Sequence, residues 1–226
     1  RSHIMAVKSN MVKSPPKGNI RFSISLSDEQ KLAKTQILDH PFNFIVGKAG
    51  SGKTLLAVQV ALDMFFKKQV NKIIITRPTI STEDNGFLPG SEREKMEPWL
   101  VPIRSNMRKV YNKPDILEKM EKSEQIELCS LAHFRGRTFD NAVVIVDEFQ
   151  NLTRSQLSMA IGRLGKDSKM IFCGDSYQID LRDKNWSAYH DMAKLTVSNY
   201  VYKTVLEDSH RHGAIDDLLE LLNGYH

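Results

Sequence analysis

The sequence predicts an α/β protein with a mainly parallel, doubly wound sheet. Short apolar runs alternate with stretches of helical periodicity, and most of these runs are continuously apolar, as in strands buried on both faces of a parallel sheet. The 226 residues, 41% of them hydrophobic, suffice for one domain of ordinary size. The predicted strands are 43–46, 72–76, 126–131, 142–146, 169–173 and 201–206.

Two helices are predicted from the apolar residues that lie between these strands. Residues 54–66 carry apolar side chains on one face, and Thr153 is placed to cap a helix whose apolar face includes Leu157 and Leu164. The stretch 79–125 is too long for a plain crossover, so a helical insertion is predicted there.

A buried stripe is predicted inside this insertion, because Ile103, Met107 and Val110 recur at helical spacing. The basic residues of the same segment would then lie on the outer face, where they suit either solvent or the phosphate backbone of a nucleic acid. These basic residues are Arg104, Arg108 and Lys109.

The composition argues against several classes of protein. The 32 basic and 27 acidic residues give a formal charge of +5, which permits a nucleic-acid partner without requiring one. No apolar run approaches the roughly 20 residues of a membrane helix, so no membrane association is predicted. Cys129 and Cys173 stand in apolar stretches, which argues against a disulfide scaffold or a zinc site and favours the cytoplasm.

The first 25 residues are set apart from the predicted domain. Residues 1–5 resemble a cloning remnant, and the polar, basic, proline-containing stretch after them is typical of a flexible tail. We therefore place the predicted domain at 26–226.

A phosphate-binding loop is predicted at residues 47–54, between a strand and a helix. These residues fit the pattern G-x-x-x-x-G-K-[ST], in which glycines let backbone N–H groups turn toward phosphate oxygens at a helix N-terminus. Lys53 is expected to reach the β and γ phosphates, and Thr54 to ligate Mg²⁺. The other predicted phosphate-binding residues are Gly47, Lys48, Ala49, Gly50, Ser51 and Gly52.

Polar residues also follow two other predicted strands. Asp147 and Glu148 come directly after 142–146, where Asp147 is expected to bind Mg²⁺ and Glu148 to act as the general base that polarises a water. After the next strand, Asp175 and Gln178 lie in a loop expected to face the γ-phosphate. A glutamine there can orient a water, because its amide both donates and accepts hydrogen bonds.

These motifs together resemble the PhoH-like ATPases, from about Leu26 to Glu220. The resemblance rests on GKAGSGKT (47–54), ITRP (75–78), GFLPG (86–90) followed by EK (Glu94-Lys95) and PWL (98–100), FRGRT (134–138), VIVDEFQN (144–151) and CGDSYQIDL (173–181). Phe149 departs from it, since the family more often has alanine there. The resemblance implies a single RecA-like P-loop NTPase domain, similar to the first motor domain of superfamily 1 helicases.

The resemblance also implies a nucleotide and several site residues. ATP is the implied nucleotide, with Gln30, which precedes Gly47 by 47 − 30 = 17 residues, as the residue that reads adenine. Arg211 lies in a segment similar to the L-x-x-x-[YH]-R motif of superfamily 1 helicases, which implies contact with the γ-phosphate.

A second copy of the chain is expected to complete the site. Superfamily 1 helicases take an arginine from a second motor domain, for which this length leaves no room, so either a neighbouring copy supplies the arginine or turnover is slow. The resemblance implies a ring homo-oligomer, expected to be a hexamer. Arg135 and Arg137 are the preferred trans arginines, with Arg154 and Arg163 as further candidates; a basic loop facing nucleic acid or solvent is the alternative for Arg135 and Arg137.

The leading hypothesis is therefore a Mg²⁺-dependent ATPase that acts on single-stranded RNA or DNA. Two alternatives stay open: a nucleotide-gated binding module with negligible turnover, and a small-molecule kinase. Glu148 beside Asp147 argues against the kinase, because phosphoryl transfer to an acceptor needs no activated water.

Overall fold

The computed structural model describes residues 21–79 and 92–224. The GFLPG motif at 86–90 and residues 1–20 of the predicted tail lie outside the described residues, as do the side chains of Glu94 and Lys95. Within the described ranges, no helix combines the length and the apolar character that crossing a membrane requires.

The strands in the described ranges are β1 (Phe42–Gly47), β2 (Lys72–Arg77), β3 (Ile126–Ser130), β4 (Ala142–Val146), β5 (Lys169–Gly174) and β6 (Val201–Leu206). They lie in one parallel sheet with the order β3-β2-β4-β5-β1-β6. A strand inserted between the loop-bearing strand β1 and the acidic strand β4 is the arrangement of RecA-like P-loop domains, so the predicted fold class is confirmed.

Helices pack on both faces of this sheet. The α-helices in the described ranges are α1 (Asp28–Asp39), α2 (Lys53–Phe66), α3 (Glu92–Val110), α4 (Pro114–Lys122), α5 (Arg154–Ile161), α6 (Met192–Leu195) and α7 (Gly213–Asn223). Capping boxes begin two of them: Ser27 pairs with Gln30 at α1, and Thr153 with Gln156 at α5. Thr153 is thus the cap that the sequence predicts.

The doubly wound arrangement follows from the alternation of side chains along each strand. Val143 and Ile145 of β4 pack in one core with α1, α2, α3 and α4. Val144 and Val146 of the same strand pack in a second core with α5 and α6. Because both faces are covered, every residue of β4 is buried, which explains its continuously apolar sequence.

The predicted apolar stripe in the segment between β2 and β3 is confirmed, because Ile103, Met107 and Val110 of α3 are all buried. Arg108 and Lys109 are exposed, as expected. The Arg104 side chain is 43% exposed, and its guanidinium pairs with the Glu121 carboxylate of α4, with an Nη2 to Oε1 distance of 2.7 Å. This ion pair joins α3 to α4, and both helices share the core of α2.

Candidate functional site

The predicted phosphate loop lies at the carboxyl edge of the sheet, between β1 and α2. Gly50 and Gly52 have φ angles of +83° and +84°, a region that other residues adopt only with strain. The Lys53 Nζ folds back over the loop and donates to the carbonyl oxygens of Gly47 at 2.8 Å and Lys48 at 2.9 Å. Burial lowers the pKa of Lys53, and the nearby Asp175 carboxylate opposes this shift.

Two side chains crowd the glycines of this loop. A methyl group built on Gly50 would lie 2.4 Å from Cγ and Nε of Arg211, and one built on Gly52 would lie 2.6 Å from Nε2 of Gln30. The backbone N–H of His210 donates to the Gly50 carbonyl oxygen at 2.9 Å, which ties the Arg211 segment to the loop. The structure therefore brings Gln30 and Arg211, which lie 181 residues apart in sequence (211 − 30), to the same loop.

Thr54 and Asp147 meet at the start of α2. The Thr54 hydroxyl donates to Asp147 Oδ1 at 3.2 Å. Burial raises the pKa of the Asp147 carboxyl group, while the neighbouring Arg77 guanidinium acts in the opposite direction. A hydroxyl and a carboxylate are the hard oxygen ligands that Mg²⁺ prefers, and a cation beside them would offset the desolvation of Asp147. These two residues fit the metal that the sequence predicts.

Glu148 is held by a residue that the sequence analysis did not select. Its carboxylate forms an ion pair with Arg77 at the end of β2, the strand next to β4. Its own backbone has a φ of +50°, in the left-handed region that is uncommon for residues other than glycine. The one sequence signal for Arg77 was its place in ITRP, at the carboxyl end of a strand.

Gln150 links the end of β4 to the loop after β5, and the sequence analysis did not select it. Its buried side chain accepts a hydrogen bond from the Asp175 backbone N–H at 3.2 Å and donates to the Gln178 carbonyl oxygen at 3.3 Å. Asp175 is itself buried. Gln178 is exposed, and its carbonyl group is the part that joins this network. Gln150 thus fixes the loop after β5 against the end of β4.

Two buried residues lie behind the site. Cys173 of β5 lies beneath the phosphate loop, with its Sγ 3.8 Å from the Lys53 carbonyl oxygen, and burial raises the pKa of its thiol well above the usual value. Phe149 is buried between Phe44 and Tyr189, with ring centroids 5.1 Å and 5.6 Å away. The large side chain at this position therefore fills the second core behind the acidic strand.

Arg135 and Arg137, which are predicted to act on the site of a neighbouring copy, lie far from the phosphate loop of their own chain. They follow β3, which is four strands from β1, roughly 19 Å at the usual strand spacing. Arg137 is engaged: its two terminal nitrogens donate to the Glu127 carboxylate at 2.7 Å and 2.8 Å, and its guanidinium lies over the Phe139 ring. Arg135 is exposed. Their action across an interface stays a prediction, with Arg135 the better placed of the two.

The solved structures that this chain resembles include a large terminase and a helicase. The large terminase of a thermophilic bacteriophage has a TM-score of 0.49 at 11% identity and covers 87% of this chain and 50% of its own. The Pif1 helicase of Candida albicans has a TM-score of 0.45 at 18% identity, covering 89% of this chain and 44% of its own.

Comparison of sequences gives nearer relatives. A PhoH-like protein of Mycobacterium leprae is 36% identical over 186 residues, which is 80% of this chain and 53% of that protein. A PhoH-like protein of Bacillus subtilis is 45% identical over 139 residues (61% and 43%), and Protein PhoH of Escherichia coli is 39% identical over 141 residues (61% and 40%). The chain spans about half the length of these relatives, or less.

The family model described as PhoH-like protein matches residues 24–223, and that range contains the phosphate loop, the acidic strand end and Arg211. The resemblance carried by the motifs is thereby confirmed, and the chain belongs to the PhoH-like protein family.

Proposed function

We propose that the chain binds ATP with Mg²⁺ and hydrolyses it. The observation that carries the proposal is the meeting of four groups at one phosphate loop, which are Lys53, Thr54, Asp147 and Arg211, with Glu148 directly after Asp147 in sequence. We also propose that residues 26–226 form one ATPase domain, with 79–125 as its helical segment.

Lys53 is proposed to bind the phosphates of the nucleotide. Its ammonium group is held by two loop carbonyl oxygens, and a phosphate oxygen is a stronger partner because the hydrogen bond would then join two charges. The hydroxyl of Ser51, buried without a hydrogen-bond partner among the residues that the structure describes, would also gain a partner. Gln30, which lies against Gly52, is proposed to read the adenine of ATP.

Thr54 and Asp147 are proposed to hold the metal ion. A bound Mg²⁺ would neutralise charge on the β and γ phosphates. Asp147 would be stabilised in its ionised form, and Thr54, which now donates to Asp147, would be freed to offer its oxygen.

Glu148 is proposed as the general base, and Arg77 as the residue that positions it. A carboxylate held by a guanidinium is less available to a water, so Glu148 must turn away from Arg77 before it can act. Arg211, held against Gly50, is proposed to contact the γ-phosphate. Gln178 and a trans arginine, Arg135 before Arg137, would complete the site in a ring homo-oligomer, which we propose to be a hexamer.

Single-stranded RNA or DNA is the proposed partner, in the cytoplasm. Three exposed basic residues support it, since they can contact backbone phosphates; they are Arg108, Lys109 and Arg135. The ion pair of Glu148 with Arg77 favours a second candidate, a nucleotide-gated binding module with negligible turnover.

Phosphate release from ATP in the presence of Mg²⁺ separates the two candidates. The intact protein is expected to release phosphate, faster with single-stranded RNA or DNA, whereas Lys53→Ala should lose nucleotide binding. ATP binding without phosphate release, with or without nucleic acid, would contradict the ATPase and support the binding module.

A further inference from the structure

Helix α7 presents an apolar ridge that nothing in the described chain covers. The side chains of Ile215, Leu218, Leu219 and Leu222 are 43%, 59%, 39% and 80% exposed, and no residue of the helix is buried. An 11-residue helix is marginal in water by itself, because short helices depend on packing of an apolar face. We therefore expect the ridge to have a partner.

One acidic residue of α7 borders the ridge, and two others lie on the far side of the helix. With about 3.6 residues per turn, the four ridge residues share one side of the helix, at spacings of three and four. Asp216 follows Ile215 and lies beside Leu219, at the edge of the ridge, whereas Asp217 and Glu220 lie on the far side; the helix carries no basic residue. A surface that receives the ridge should therefore be apolar in the middle and positively charged at its border.

An apolar groove of about 400 Å³ between α5 and α6 has this character. Its floor includes Leu157, Ile161 and Leu195. At its border, Arg154 and Lys194 both contact the single carboxylate of Asp191, with N to O distances of 2.6 Å and 3.8 Å. Two cations that share one carboxylate leave a net positive charge at the border of the groove.

We propose that α7 of one copy of this chain docks in the α5–α6 groove of a second copy. The apolar ridge would fill the apolar groove, and the Asp216 carboxylate at the edge of the ridge would become the second acidic partner of Arg154 and Lys194. Ridge and groove are different patches of one surface, so each copy would use its ridge for one neighbour and its groove for another. Such a contact is head to tail and builds a ring or an open chain.

Docking would also act on the phosphate loop, a consequence that rests on the proposed function. His212 caps α7, and Arg211 just before it lies against Gly50. A neighbour that fixes α7 would therefore fix the Arg211 side chain against the loop.

The test is the mass of the protein in solution, measured by light scattering over a range of concentrations. The intact protein is expected to gain mass with concentration, whereas a ridge variant (Leu218→Asp with Leu222→Asp) and a groove variant (Arg154→Glu with Lys194→Glu) should stay monomeric. All four replaced side chains are exposed, so both variants should fold. Lys31→Glu with Lys67→Glu makes the same change of charge elsewhere and should associate like the intact protein.

Mixing the two variants tests whether the contact joins the ridge of one copy to the groove of another. The ridge variant keeps its groove and the groove variant keeps its ridge, so an equal mixture should form one-to-one dimers with about twice the mass of either alone. An intact protein that stays monomeric, a groove variant that associates normally, or a mixture that stays monomeric would each overturn the proposal. Failure of the proposed function would appear differently, as an intact protein that binds no ATP at any mass.

Discussion

The pair formed by Glu148 and Arg77 places a strong constraint on how the site works. Replacing Glu148 by glutamine removes the proposed base but keeps the size of the side chain. We expect Glu148→Gln to bind ATP with an affinity close to that of the intact protein and to hydrolyse it roughly 10²- to 10⁴-fold more slowly, the usual effect of losing a general base. Binding is measured with a fluorescent nucleotide and hydrolysis by phosphate release.

A control for this variant is Glu118→Gln, which removes an exposed carboxylate from α4 and should change neither quantity. Turnover by Glu148→Gln near that of the control would contradict the role proposed for Glu148. Hydrolysis lost together with binding would point to misfolding of the loop instead.

Gln30 combines two contacts that variants can separate. Its Oε1 accepts a hydrogen bond from the Ser27 N–H as part of the α1 cap, while its Nε2 lies against Gly52. If Gln30 reads adenine, Gln30→Ala should reduce the preference for ATP over GTP by about 5- to 10-fold, roughly the effect of one hydrogen bond.

Ser27→Ala provides the comparison, because it weakens the same cap and leaves the amide in place. It should keep the ATP preference while both variants lose similar thermal stability. Equal loss of preference in both variants would show that the cap, rather than the amide contact, sets selectivity.

Strand β3 at the sheet edge depends on a charge cluster around Glu127. The Arg137 guanidinium, together with Lys72, lowers the pKa of this carboxyl from 4.5 to about 2. Because the pKa is lower in the folded chain, the stabilisation is full above pH 4.5 and is lost as the pH falls toward 2. Allowing for solvent screening of this partly exposed group, it amounts to about 1–2 kcal/mol.

Urea unfolding at pH 6 and pH 3 measures this contribution. Glu127→Gln should be less stable at pH 6 and lose less stability than the intact protein on going to pH 3. Glu124→Gln, which removes a carboxylate three residues away, should keep the full pH dependence. A Glu127→Gln protein with an unchanged pH dependence would contradict the assignment.

Among the secondary-structure elements, the strands could be predicted from the sequence, but several helices could not. All six predicted strands lie within one residue of their predicted bounds. The inner strands β1, β2, β4 and β5 are buried along their length, which leaves a continuous apolar run, whereas the edge strands β3 and β6 are partly exposed. Helix α7 has amphipathic spacing that describes a ridge without showing what covers it. Helix α6 is a single turn after two short 3₁₀ helices, too brief for a periodic signal.

For the whole molecule, sequence motifs located most residues of the candidate site but not the contacts that hold them together. The loop and the acidic strand end were predictable because their chemistry is local. The Arg77–Glu148 pair depends on β2 lying beside β4, and the Gln150 bridge depends on β4 lying beside β5. Strand order of this kind arises from packing of the whole sheet, which local pattern does not encode.

The rate at which the Cys173 thiol is alkylated can report on transient opening of the site. This thiol is buried beneath the phosphate loop, so an alkylating reagent can reach it only when the loop and β5 part transiently. Cys129, also buried, lies on β3 at the far edge of the sheet and serves as an internal reference. We expect ATP to slow alkylation of Cys173 by 10-fold or more, an order-of-magnitude figure for a ligand well above its Kd, and to leave Cys129 nearly unchanged.

Mass spectrometry of the labelled peptides follows both thiols in one sample. Equal protection of the two cysteines would mean that both react only through unfolding of the whole sheet. Selective protection of Cys173 would instead mean that its alkylation rate reports the opening of the phosphate loop. The reporting side chain takes no part in the proposed ATP hydrolysis.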